Sequence, residues 1–182
     1  MDKTLFHFIN YQISNGFFDA IMPIISNKFI WIPIYILFIV LAIKKFKSKA
    51  WLPILFIFFA YLVTEQTCNL VKHTFKRQRP NQIKELYAIK RIEGGSGYST
   101  PSAHAANHLA IAIVASTILG FSSFGHFLIL LWAIIIGFSR IYNGVHFPSD
   151  IFIGFAVGGF ISIALLILYD YIFNRLWNKE TA

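Results

Sequence analysis

Three short segments concentrate the side chains that could do chemistry: Lys72 to Pro80 (KHTFKRQRP), Pro101 to His104 (PSAH) and Ser139 to Asp150 (SRIYNGVHFPSD). The chemistry they suit is the holding and cleaving of a phosphate ester. Lys72, Arg79 and Arg140 are cations beside apolar runs, where a charge is costly unless something pairs with it. A phosphate dianion would satisfy all three, and arginine can grip its oxygens in bidentate fashion. The plainer alternative is that they are interfacial anchors whose stems lie in the apolar phase.

His146 and Asp150 stand four residues apart. A carboxylate on one imidazole nitrogen fixes the tautomer and frees the other nitrogen to attack phosphorus. The alternative is that Asp150, or Ser149 in its place, merely caps a helix beside a solvated histidine. In the middle segment, Thr100 can cap a helix with Pro101 at its first position. The free backbone N–H groups there form an anion site reinforced by the helix dipole. Ser102 adds a hydroxyl, and His104 could protonate a leaving alkoxide; an ordinary capped helix with an interfacial histidine is the competing reading. His104 and His108 share i, i+4 spacing. Zinc would want a third ligand and usually an intervening Glu, whereas Ala105, Ala106 and Asn107 stand between. No metal site and no cofactor are expected.

The elements that must position these residues are apolar. The chain is 57% hydrophobic and only 13% charged, against about 25% charged in soluble domains. No Asp, Glu, Lys or Arg occurs between Glu93 and Arg140, nor between Asp150 and Asp170. Such windows predict transmembrane helices of roughly 20 residues. The expected architecture is all-α: a polytopic transmembrane bundle of about five spans, forming a single domain over residues 1–182. A short amphipathic helix over residues 4–17 would lie along the interface. The spans are placed at Phe18 to Ile43 (with Pro23 and Pro33 inside or at its start), Ala50 to Lys72, Pro101 to Gly120, a fourth ending near Arg140 to Asn143, and Ser149 to Phe173. In the loop before Pro101, Gly94, Gly95 and Gly97 suggest flexibility. This order brings the end of the second span, the start of the third, the end of the fourth and the start of the fifth to one membrane face. All three polar segments therefore meet there.

These segments resemble the type 2 phosphatidic acid phosphatase superfamily, membrane lipid phosphatases related to vanadium-dependent haloperoxidases. That family carries K-x6-R-P, P-S-G-H and S-R-x5-H-x3-D. Lys72 with Arg79-Pro80 fits the first, and Ser139-Arg140, His146 and Asp150 fit the third. In the middle segment Ala103 replaces the usual glycine. The resemblance implies a metal-independent, two-step reaction. His146 would attack phosphorus to form a phosphohistidine, Asp150 would orient it, and His104 would protonate the leaving group and then activate water. Lys72, Arg79, Ser102, Arg140 and the Ala103 backbone N–H would hold the phosphoryl oxygens.

The implied partner is a lipid phosphate or diphosphate at a bilayer: undecaprenyl pyrophosphate, phosphatidylglycerophosphate, phosphatidic acid or lipid A phosphate. The net charge of +8 lies in short loops between spans and points to anionic lipid rather than nucleic acid. Lys76, Arg77, Lys84, Lys90 and Arg91 could read a second phosphate or be solvated surface charge. Glu65 lies on one helical stripe with Asn69, Lys72 and Lys76, so it is expected to face the bundle and help orient a cation or polar group beneath the site. The Lys44 to Lys49 cluster, Arg175 and Lys179 suggest a cytoplasmic side. The site would then face the periplasm or exterior of a bacterial inner membrane. A transferase moving the phosphoryl group between lipids would use the same residues. A transporter would need internal repeats, which are lacking. Oligomeric state is left open.

Overall fold

The computed structural model describes residues 1–177, so Lys179 lies outside the described residues. Every regular element among them is helical. In chain order these are α1 (Asp2–His7), α2 (Gly16–Ser26), α3 (Ile32–Phe46), α4 (Trp51–Phe75), α5 (Ala103–Leu119), α6 (Ser123–Tyr142) and α7 (Pro148–Trp177), with a π turn at Phe8–Gln12 and short 3-10 turns between. Among the described residues, four stretches are long and apolar enough to cross a membrane: Lys28–Lys49, Trp51–Gln82, Ser123–Tyr142 and Pro148–Trp177. Their outer faces carry large exposed apolar residues, among them Phe124, Phe127, Phe152, Phe160 and Ile167. In water such a surface would drive aggregation; in lipid it is solvated.

Helix α5 is the hub, packed against α4, α6 and α7. It is built from small residues, and Ala105, Ala106, Ala110, Ala112 and Ala115 are all fully buried. Helix α7 answers with Gly154 and Gly158, one helical turn apart. A Cβ on Gly154 would sit 2.7 Å from the Ser102 carbonyl oxygen, and one on Gly158 would strike the Ala106 carbonyl. Backbones can approach this closely only when both faces lack side-chain bulk. The start of α5 is thereby clamped onto the start of α7, which brings two of the three polar segments together.

The first apolar run is not one helix. It breaks at Asn27, whose side chain accepts from the Phe29 N–H at 3.0 Å, while Trp31 Nε1 donates to the Ile25 carbonyl at 2.8 Å. Pro23 lies inside α2, but Pro33 falls at the start of α3, where its missing N–H costs nothing. At 11 residues, α2 rises about 16 Å and cannot span a bilayer.

The N-terminal segment packs on the bundle. Phe6 is buried with its ring 5.5 Å from that of Phe147. Asn10 donates to the Ile89 and Tyr142 carbonyls at 2.9 and 2.8 Å and accepts from the Ile89 N–H at 2.8 Å. It ties the long loop between α4 and α5 to the end of α6. Gly94, Gly95 and Gly97 in that loop all take left-handed φ, so they serve its turns.

Candidate active site

The ends of α4 and α6, the start of α5, the turn before α7 and the long loop converge on one cavity of about 1030 Å³. Six of the eight expected site residues line it: Lys72, Arg79, Ala103, His104, Arg140 and His146. Asp150 is fully buried beside His146. Ser102 is also fully buried, and its Oγ has no hydrogen-bond partner among the described residues.

His146 stands in the turn between α6 and α7. Gly144 makes that turn possible: its φ is +78°, and a Cβ there would lie 2.5 Å from the Ile89 carbonyl oxygen. His146 Nε2 is 2.9 Å from Arg79 Nη1. A guanidinium has no acceptor, so Nε2 must be the acceptor and the ring proton sits on Nδ1. Nδ1 faces Asp150, with its Oδ2 at 3.6 Å. That is longer than a hydrogen bond, as catalytic contacts without substrate often are. Burial pushes the His146 imidazole down to about 3, against the opposing pull of Asp150. The ring is therefore neutral, with its Nε2 lone pair engaged by Arg79, which like His146 lines the cavity.

Asp150 is immobilised. It accepts from the Phe147 N–H at 2.8 Å, from the Ser99 and Thr100 hydroxyls, and from Arg77 Nη1 at 2.7 Å. Thr100 is thus spent on Asp150 and does not cap α5. The cap position falls to Ser102, with no side-chain cap bond, and Pro101 precedes the helix rather than opening it. The Ser102 N–H donates to the Asp150 carbonyl at 2.9 Å. The first N–H groups of α5, beginning with Ala103, lack intrahelical acceptors by geometry.

Arg77 is the participant that sequence reasoning missed. It bridges Asp150 to Asp2, its Nη2 lying 2.5 Å from Asp2 Oδ2. Asp2 in turn accepts from the Ser149 N–H at 3.0 Å and the Ser149 hydroxyl at 2.6 Å, so a residue 147 positions away caps α7 in place of Ser149. Burial alone would raise the Asp2 carboxyl; its bonds to Arg77 and Ser149 outweigh that and hold it below the usual range. Arg91 is similarly spent on Asp19, at 2.6 Å. Neither arginine is solvated surface charge.

The cavity cations differ. Lys72, Arg79 and Arg140 form no ion pair among the described residues. Arg79 is held by the Val145 and Gly97 carbonyls at 2.9 and 3.3 Å. Arg140 is 7% exposed, donates to Ser26 Oγ and leaves its Nε without a partner. A buried donor left unspent is expensive, and Arg140, beside two further cations that lack a carboxylate partner among the described residues, makes the cavity an anion site. His108 takes no part as a ligand, since Nδ1 contacts the His104 carbonyl at 2.7 Å and Nε2 the Tyr35 hydroxyl at 3.0 Å.

The chain is similar to several known proteins. A lipid A 4'-phosphatase from Bacteroides thetaiotaomicron is 32% identical over 88% of this chain and 73% of its own length. An undecaprenyl-diphosphatase from Sulfolobus acidocaldarius is 29% identical over 87% of this chain and 73% of its own. The crystal structure of LpxE from Aquifex aeolicus superposes with a TM-score of 0.74 at 24% identity, covering 91% of this chain and 94% of that one, a likeness of fold. The PAP2 superfamily profile matches residues 50–174, which takes in all three polar segments, and the chain belongs to that superfamily.

Proposed function

We propose that this chain is an integral-membrane phosphatase that cleaves a lipid phosphate through a phosphohistidine. One observation carries the reading. A neutral His146 turns its Nε2 into a cavity that also holds three cations without carboxylate partners. Lys72, Arg79 and Arg140 hold the non-bridging oxygens, joined by the Ala103 N–H and the unspent Ser102 hydroxyl. His146 Nε2 attacks phosphorus; the N–P bond forms as the ester P–O bond breaks. His104 protonates the departing lipid alkoxide, becoming the base for the second step. It then takes a proton from water, which attacks phosphorus and breaks the N–P bond, freeing phosphate and neutral His146. Asp150 keeps the proton on Nδ1 throughout. Phosphoryl transfer needs mainly positioning and charge stabilisation, and the cations supply both.

The cavity favours a lipid. Below the cations it continues as a channel between α3 and α4, lined by Tyr35, Ile39, Trp51, Leu55, Phe58 and Tyr61 among others. From Lys72 to Trp51 along α4 is about 31 Å, close to the hydrocarbon thickness of a bilayer. A tail can stay in this groove while the head group reaches His146. The relatives named above make a lipid A phosphate the first candidate and a polyprenyl diphosphate the second. We take α5, shielded by its neighbours, as the fifth span, with the N-terminal helices at the interface. The Lys44 to Lys49 turn lies at the far end of the bundle from the site, and by the positive-inside rule this supports a site on the outer face of a bacterial inner membrane. Several cations near the site carry little weight against this, since Arg77 and Arg91 are spent on Asp2, Asp150 and Asp19 and Lys72, Arg79 and Arg140 on the cavity.

The test is phosphate release by purified protein in detergent, for wild type beside His146→Ala. Release that vanishes in the variant, with an acid-labile phosphoprotein trapped in wild type, is the expected result. Release undiminished in His146→Ala would overturn the mechanism. Activity should survive EDTA; loss restored by a divalent ion would overturn the metal-independent version.

A further inference from the structure

About 10 Å below Lys72 along α4, the apolar channel is interrupted by four polar side chains: Glu65, Asn107, Tyr35 and His108, all on its wall. Their hydrogen bonds are unevenly spent. Asn107 Nδ2 donates to Glu65 Oε2 at 2.6 Å. The Tyr35 hydroxyl is 3.0 Å from His108 Nε2, while His108 Nδ1 faces the His104 carbonyl at 2.7 Å. A carbonyl cannot donate, so Nδ1 carries the proton and Tyr35 must donate to Nε2. The donors are thus nearly exhausted; of these four side chains, only the second N–H of Asn107 remains.

The acceptors are not. Asn107 is 6% exposed, and its Oδ1 has no partner among the described residues. Glu65 is half-buried, and its other oxygen has no protein partner there either. An unsatisfied acceptor in hydrocarbon is costly, and a carboxylate more so. Nothing in holding the tail requires them, since a polyprenyl or diacylglycerol chain offers no donor at this depth.

We infer that Glu65 and Asn107 form a substrate-reading subsite. It accepts hydrogen bonds from hydroxyl or amide N–H groups that the lipid carries one step inward from its phosphate. The inference rests on the reading of the site as a lipid phosphatase. It narrows the substrate class to lipid phosphates with amide-linked or hydroxylated backbones, and sets ester-only and polyprenyl phosphates aside.

The experiment compares two phosphomonoesters with two long chains each. Ceramide 1-phosphate has an amide N–H and a hydroxyl near the phosphate; phosphatidic acid has neither. Wild type should turn over ceramide 1-phosphate with the higher kcat/KM. In Glu65→Gln and Asn107→Ala, the ratio of the two kcat/KM values should fall about tenfold, the scale of one hydrogen bond to a charged acceptor. Because the ratio is measured on one preparation, a partly inactive variant still reports. A wild type that prefers phosphatidic acid, or a ratio that both variants leave within twofold, would overturn the subsite. A wild type releasing phosphate from neither lipid nor from any other would instead overturn the phosphatase reading itself, and the subsite with it.

Discussion

Arg77 shows how a single side chain can serve a site it does not enter. It is absent from the cavity wall, yet it ties the buried Asp150 carboxylate to Asp2. Arg77→Ala would remove the one arginine or lysine that pairs with Asp150 among the described residues and loosen its hold beside Nδ1, although the Phe147, Ser99 and Thr100 bonds remain. We expect kcat to fall about ten- to a hundredfold, matching the loss of a charged hydrogen bond, with KM nearly unchanged. Arg77→Lys should recover only part, since a point charge cannot bridge two carboxylates as a planar fork does. A folded Arg77→Ala enzyme with wild-type kcat would remove this role. His146 makes a second prediction. Its folded pKa of about 3 lies below the unfolded value near 6.5. The unfolded chain therefore binds the extra proton first, and the stability present above pH 6.5 drains as pH falls toward 3. The cost approaches about 1.4 kcal/mol per pH unit. The thermal midpoint in detergent of His146→Asn should drop less between pH 7 and 5 than that of wild type; equal drops would count against it.

At the scale of elements, the contact between α5 and α7 decides whether the two histidines meet. Gly154 and Gly158 bring the backbones together where Ser102 and Ala106 stand, while Gly159 has nothing within 4 Å of a built Cβ. Gly158→Leu should therefore prise α5 from α7. Overpacking of this kind costs about 1–3 kcal/mol or more, and both the midpoint and phosphate release should fall together. Gly159→Leu, one residue on, serves as the control. Equal stability of the two variants would show that the close approach does not matter. Lys45 belongs to the same scale: its Nζ donates to the Leu119 carbonyl at 2.8 Å, where a cation suits the C-terminal end of α5.

Over the whole molecule, the groove and the site form one continuous cavity, from Trp51 at the start of α4 to the cations at its end. Narrowing the groove should discriminate by tail length. Leu55→Trp is expected to raise KM several-fold for a long-chain lipid phosphate while sparing a short-chain, water-soluble one. Michaelis constants for the two, measured side by side, check this. Equal effects on both would mean that the tail does not lie between α3 and α4.

By itself the sequence determined the helical class, the long charge-free spans and the three polar segments, because apolar run length and motif spacing are local properties of the chain. It also led to the expectation, on a count of five alternating spans, that those segments meet at one face, and the fold does gather them at one cavity. Asn27 and Pro33 carried a local signal for two helices instead of one, but a continuous apolar run masks a break that costs nothing in hydropathy. Tertiary structure alone decided the partners. Arg77 and Arg91 looked like surface charge until Asp2 and Asp19 were folded onto them. Thr100 looked like a cap until α7 brought Asp150 within its reach. Glu65 showed its helical stripe in the sequence, but its bond to Asn107 and the acceptor left open beside it arise only where α4 meets α5. Pairing energy depends on distances between residues far apart in the chain, and those distances are set by packing.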